Sequence, residues 1–146
     1  MPASDSLGST RGLTDIRSSF GPKETMDRFE SEIRAQNMQV FARIDHAAGA
    51  AQVGLTLAPT ELIVFGNARG GTPLMQSVQT VGIDLPLKAL VWQDKGGQTW
   101  LSYNEPGWIA QRHGVANAQA VVDKMAALLS AMSKKASGSN SKPNDP

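Results

Sequence analysis

The segment DKGGQ at 94–98 separates two short runs rich in β-branched, aromatic and apolar residues, LKALVWQ at 87–93 and TWLSY at 99–103. A short glycine-rich connection joins antiparallel strands as a hairpin, whereas parallel neighbours need a crossover of roughly a dozen residues or more. The chain is therefore expected to build an antiparallel pair here. Strand alternation puts Leu90 and Trp92 on one side of the first arm and Trp100 and Ser102 at alternating positions of the second.

VFARID at 40–45 and LIVF at 62–65, the latter closed by Gly66 and Asn67, read as further strands, and LTDIRSSF near the start as a shorter one. Two helices bracket the set. Pro22 opens the first without losing a needed donor, Glu24 and Asp27 suit its first turn, and Met26, Phe29 and Ile33 recur at helical spacing over 22–37. Glu24 with Arg28 and Glu30 with Arg34 place acid before base four residues apart, which supports a solvated face rather than chemistry. In the second helix, Ala118, Val121, Val122, Met125, Leu128, Leu129 and Met132 trace a broad apolar face suited to covering a sheet. HAAGAAQVG after Asp45 fits a short helix or a functional loop, and EPGWIAQRHG a short helix or a lid. The pattern lacks the βαβ rhythm of a doubly wound dinucleotide fold. It predicts an α+β chain, a compact two-layer α/β sandwich with a largely antiparallel sheet.

At 146 residues the chain has room for one domain, expected over 13–133, with flexible segments at 1–12 and 134–146. The net charge is +1, and Lys134, Lys135 and Lys142 against Asp145 place the basic excess in the tail. Neither nucleic acid nor an anionic membrane is expected as a partner. No run approaches the roughly 18 apolar residues of a membrane span, and the start lacks a secretory pattern, so a cytoplasmic location is expected. With no cysteine, disulfides, thiolate metal sites and a cysteine nucleophile are excluded. Two histidines and dispersed carboxylates supply no metal-ligand pattern, and no cofactor is predicted.

Three loop regions carry candidate chemistry. Asp45 and His46 at a strand end can exchange a proton or hold a polar ligand, but neighbours on a strand face opposite sides, and Asp45 equally suits a helix cap. In GNARGGTPLMQS at 66–77, Thr72 can cap a helix whose first position is Pro73. Backbone donors there, with Arg69, suit a carboxylate or phosphate, and a capped glycine turn without a ligand explains the same residues. Asp84, Leu85 and Pro86 lead into the next strand, Tyr103 and Asn104 end a later one, and His113 follows Arg112 near the possible lid.

VFARIDHAAGAAQVG, PTELIVFGNARGGTPLMQ, GIDLPLKALVWQD and WLSYNEP together resemble the family catalogued as domain of unknown function 302, over about residues 14–115. The resemblance implies a compact α/β domain of TATA-binding-protein-like topology whose members associate as homodimers, and it transfers no settled activity. It singles out Asp45 and His46, Gly66 and Asn67, Gly71 with Thr72 and Pro73, Asp84 to Pro86, and Tyr103 with Asn104. Ala68 stands where the family often has proline, leaving that turn less rigid.

Three functions are consistent with these residues. The first is a domain binding a small polar or anionic ligand through the 66–73 loop, with Asp45, His46, Asn67, Arg69, Gly71, Thr72, Tyr103 and Asn104 as contacts. The second is an acid/base enzyme in which His46 moves a proton and Asp45 or Asp84 orients it. The third is a structural or regulatory homodimer formed through Val122, Met125 and Leu129 of the last helix.

Overall fold

The structure, a computed structural model, describes residues 11–139. Its strands are β1 (Leu13–Ser18), β2 (Gln39–Asp45), β3 (Thr60–Gly66), β4 (Leu87–Gln93) and β5 (Thr99–Asn104). They form one sheet in the order β1-β5-β4-β3-β2, antiparallel at every pairing. The hairpin between β4 and β5 closes on Asp94, whose Oδ1 accepts from the amides of Gly96 and Gln98 at 2.9 and 3.0 Å. Trp92 and Trp100 pair across it with their rings stacked 6.1 Å apart.

Register decides which side of the sheet is covered. Ile63, Ala89 and Tyr103 fall in one cross-strand row with Thr14, and Leu62, Leu90 and Ser102 fall in the next row with Asp15. Helices α1 (Pro22–Ala35) and α5 (Gln119–Ser137) cover the first face. Met26, Phe29 and Ile33 of α1 and Leu129, Met132 and Ala136 of α5 are buried there with Ile63, Phe65 and Leu101. Phe29 meets Phe65 edge-on at 5.4 Å. Each such fully buried side chain contributes about 1.5–3 kcal/mol, so these two helical stripes hold the layers together. The opposite face leaves Leu90, Trp92 and Trp100 half-buried.

α1 stops at Ala35 rather than 37, because Asn37 takes a left-handed conformation (φ 59°) and cannot continue the helix. The two ends of the domain also lie further out than expected. α5 runs through Ser137, with Ala136 and Ser137 fully buried and Ser19 donating its amide to the Ser137 carbonyl at 2.8 Å. Gly138 (φ 78°) ends it. At the other end, Gly12 accepts from the Glu105 amide at 2.8 Å and lies directly against the Trp108 ring. Residues 134–137 and 12 are thus part of the packed domain, held by contacts too distant in sequence to be read locally. Residues 1–10 and 140–146 of the two expected flexible segments lie outside the described residues.

The remaining elements are α2 (His46–Gln52), α3 (Ala68–Ser77), a 3₁₀ turn (Gln79–Asp84) and α4 (Pro106–His113). Leu74, Val81, Ile109 and Val122 form a smaller core beside the main one. This joins α3, the 3₁₀ turn and α4 to α5. Among the described residues no helix is long and apolar enough to cross a membrane.

Candidate functional site

β3 ends at Gly66, and Asn67 starts α3 by accepting the Gly70 amide on its Oδ1 at 2.8 Å. The helix therefore begins at Ala68, and Thr72 and Pro73 lie inside it rather than at its start. Asparagine is at least as strong an N-cap as threonine, and a helix begun at Asn67 gains a turn that one begun at Thr72 would forgo. The Gly71 amide goes to the Asn67 carbonyl at 3.2 Å. Two of the backbone donors expected for an anion, those of Gly70 and Gly71, are consequently spent inside the helix.

Where the end of β3, α3, the segment Leu85–Leu87 and α5 meet, they enclose a cavity of about 520 Å³. Its walls are apolar: Met75 from α3, Leu85 and Pro86 from the strap before β4, and Met125 and Leu128 from α5. Phe41 closes one side. It sits at a register shift between Val40 and Ala42 in β2, and a bulge of this kind turns one side chain out of the strand's alternation. Asn67 and Thr72 bring polar atoms to the lining, and Arg69 and Lys124 bring charge. Among the described residues no carboxylate lines the cavity.

Four residues expected from sequence, Asn67, Arg69, Gly71 and Thr72, meet at this cavity, and four others do not. Asp45 is the N-cap of α2, accepting the Ala48 amide at 2.9 Å, and His46 is the exposed first residue of that helix. Asp45 thus has the capping role that its sequence position also allowed, and neither it nor His46 is in the cavity lining. Tyr103 points from β5 into the main core. Burial, reinforced by the nearby Glu105 charge, pushes its phenol up to about 12. Asn104 ends β5 opposite Leu13, outside the cavity. Burial also raises the Glu105 carboxyl, to which the Thr14 hydroxyl donates.

Asp84 does orient an imidazole, but it is that of His113. Asp84 Oδ2 lies 2.6 Å from His113 Nε2, Arg112 Nη1 reaches both Asp84 oxygens at 3.0 Å, and His113 Nδ1 lies 2.9 Å from Thr80 Oγ1. This cluster clamps the 3₁₀ turn to α4. The expected interface on α5 is also used internally: Val122 and Leu129 are buried, and Met125 packs against both cores while lining the cavity.

Lys124 and Phe41 were missed in sequence. Lys124 had a signal, because it interrupts the apolar stripe Val121–Met125–Leu128 on one face of α5. Phe41 had none, since a bulge is invisible to alternation. Among the described residues no three His, Cys, Asp or Glu side chains cluster as metal ligands.

Residues 14–132 match a family described as "Domain of unknown function DUF302". The chain is 48% identical over 104 residues to "Fluoride-specific ion channel FluC 1" of Brucella suis biovar 1, covering 71% of this chain and 41% of that protein. The same identity and length relate it to "Fluoride-specific ion channel FluC 2" of Brucella melitensis biotype 1, of which 38% is covered. The chain thus spans about two fifths of the length of these curated relatives. A crystal structure of an uncharacterized conserved DUF302 protein from Bacillus stearothermophilus superposes with a TM-score of 0.78 at 18% identity, covering 86% of this chain and 98% of that one. The antiparallel sheet with its helical layer is therefore a shared fold, and the chain belongs to the DUF302 family.

Proposed function

We propose that this domain binds a small molecule with a substantial apolar body in the cavity between α3 and α5. The observation that carries the reading is the cavity itself. Its volume of about 520 Å³ falls in the range of roughly 300–1,000 Å³ common to small-molecule sites, and a few polar groups converge on otherwise apolar walls. The apolar lining shifts the expected ligand from a small polar molecule to one with a hydrophobic part. Fluoride, named for the Brucella relatives, is small and strongly hydrated, and apolar walls cannot replace its water. We accordingly assign the segment shared with those proteins to ligand binding rather than to conduction. The strand order supports the TATA-binding-protein-like topology implied by the resemblance.

The methionine methyls test the reading directly. Met38, Met75 and Met125 line the cavity, Met38 being also part of the main core, whereas Met26 and Met132 lie in that core outside the lining. In protein labelled with carbon-13 at methionine methyls, titration with decanol is expected to shift the resonances of the first three and leave the other two in place. Shifts confined to Met26 and Met132, or none at any of the five, would rule the site out.

A second reading, association with another copy of this chain, is favoured by a different observation. Ile44 on the edge strand β2 and Val53, Leu55 and Leu57 after α2 are large apolar side chains left exposed, Val53 by 72% and Leu55 by 66%. Large apolar side chains exposed along one stretch of chain, as Val53, Leu55 and Leu57 are, suit an interaction surface. Light scattering is expected to give a dimer mass that falls to a monomer in Leu55→Asp, and a monomer at every concentration would remove this reading.

A further inference from the structure

We infer that the ligand of this cavity is an amphipathic organic anion, its apolar part between the methionines and its carboxylate or phosphate held at the mouth by Arg69 and Lys124. This rests on the cavity being a binding site and adds the chemical class of what it binds. The argument is one of charge and of partners. Seventeen of the described residues line the cavity, and the charged ones are both cations. Among the described residues, neither Arg69 nor Lys124 has an ion pair or a hydrogen bond to its side chain.

The other arginines show how unusual that is here. Arg28 meets Glu24 and Phe20, Arg34 meets Glu30, Arg43 meets three carboxylates, Arg112 meets Asp84, and Arg17 lies over Trp100. Among the described residues Lys88, Lys95 and Lys134 also lack an ion pair, but they lie outside the cavity, whereas Arg69 and Lys124 are cations without counter-charge in the lining of an apolar space. They come from different elements, Arg69 from α3 and Lys124 from α5, so they can approach one anionic group from two sides. A guanidinium suits the paired oxygens of a carboxylate or phosphate, and an ammonium adds a compact second charge. A neutral or cationic ligand would leave both charges unanswered.

The test uses four probes with one ten-carbon tail, each below its micelle-forming concentration: decanoate, decyl phosphate, decanol and decylammonium. Calorimetry on the full chain is expected to show decanoate or decyl phosphate binding at least tenfold more tightly than decanol, and decylammonium more weakly than decanol. In the Arg69→Gln, Lys124→Gln double variant the anion's advantage over decanol should fall below about threefold while decanol affinity stays unchanged. Raising ionic strength should erode the same advantage.

Gly70→Leu supplies the control for the cavity, since a Cβ there points to Met125 Cε at 3.9 Å and meets nothing closer than 3.5 Å. Thr72→Trp, at an exposed lining position, is a second occluding variant that does not depend on core packing. Both are expected to weaken all tight-binding probes. If decanol binds as tightly as decanoate and decyl phosphate, and the occluding variants abolish all three, the anion assignment fails while the cavity reading stands. If the anions bind but neither occluding variant weakens them, or if none of the four probes binds, the cavity reading fails and this assignment with it.

Discussion

Replacing Arg43 with methionine tests how the α1 layer is fastened to the far edge of the sheet. Arg43, about a quarter exposed, donates from Nε and Nη2 to Glu61 at 2.9 and 2.8 Å. Its Nη1 reaches Asp27 at 3.0 Å and Glu30 at 2.9 Å. The cluster joins β2, β3 and α1 through one guanidinium. Exposed pairs contribute about 0.2–1 kcal/mol each, and fully buried pairs cost about 3–5 kcal/mol when broken. Three half-buried pairs taken near the upper end of the exposed range give about 2 kcal/mol at neutral pH. For a domain of this size, with an unfolding entropy of about 2.1 cal/mol/K per residue, that corresponds to a fall in Tm of about 7 °C.

The same cluster sets a pH signature. Lys23 first, and Arg43 after it, hold the Asp27 carboxyl below its ordinary value of 3.8, and Arg34 followed by Arg43 does the same for Glu30 below 4.5. A carboxyl lowered on folding adds stability above its unfolded pKa, and that stability is lost as pH falls through the folded value. The gap between the parent and Arg43→Met should be full above about pH 5 and shrink steadily below about pH 4. In the variant the three carboxylates repel one another, so protonation relieves them and narrows the gap further. Urea unfolding at a series of pH values measures this. A gap that stays constant from neutral pH to about pH 3 would show that Arg43 acts through its aliphatic stem alone, and the charge argument would be wrong.

Asn67→Ala should cost about 1 kcal/mol and Thr72→Ala only a few tenths, because Asn67 is the cap of α3; thermal melts showing the reverse order would place the helix start at Thr72. Ser133→Ala should raise stability by about 1 kcal/mol in urea unfolding, since Ser133 Oγ is fully buried without a hydrogen-bond partner. A loss on this substitution would mean the hydroxyl is bonded. Gly12→Ala should destabilise by about 2 kcal/mol or more, because Gly12 has a φ of 76° and a Cβ would come 2.2 Å from Trp108 Cγ. Quenching of Trp108 fluorescence in a Trp92→Phe, Trp100→Phe background reports whether the ring moves, and an unchanged melt would deny the close packing.

The strands and the two covering helices were legible because their signals are local. Alternation over Leu87–Gln93, the Asp94–Gln98 turn, and the spacing of Met26, Phe29 and Ile33 each lie within one element, and the structure uses them as read. Element ends were harder. Both Asn67 and Thr72 are good caps, and it is Asn67 that accepts a backbone amide, that of Gly70, and so sets the start of α3. Asp45 directly precedes a histidine, whereas Asp84 has none near it in the sequence. Only folding shows that Asp45 serves a backbone amide and that Asp84 finds His113, 29 residues away.

By itself, then, the sequence determined an antiparallel α+β domain with two apolar helical stripes, no cysteine chemistry, and one glycine-containing segment that reaches the candidate site. Those properties follow from periodicity, turn chemistry and composition, which act over about ten residues or fewer. The tertiary structure decided which polar groups share a space. It brought Arg69 of α3 and Lys124 of α5 to the lining of one cavity, turned Phe41 into its wall through a bulge, and sent Tyr103 into the core instead. Convergence of this kind depends on how separate elements pack, and packing is set by the fit of all buried side chains at once rather than by any short stretch of chain.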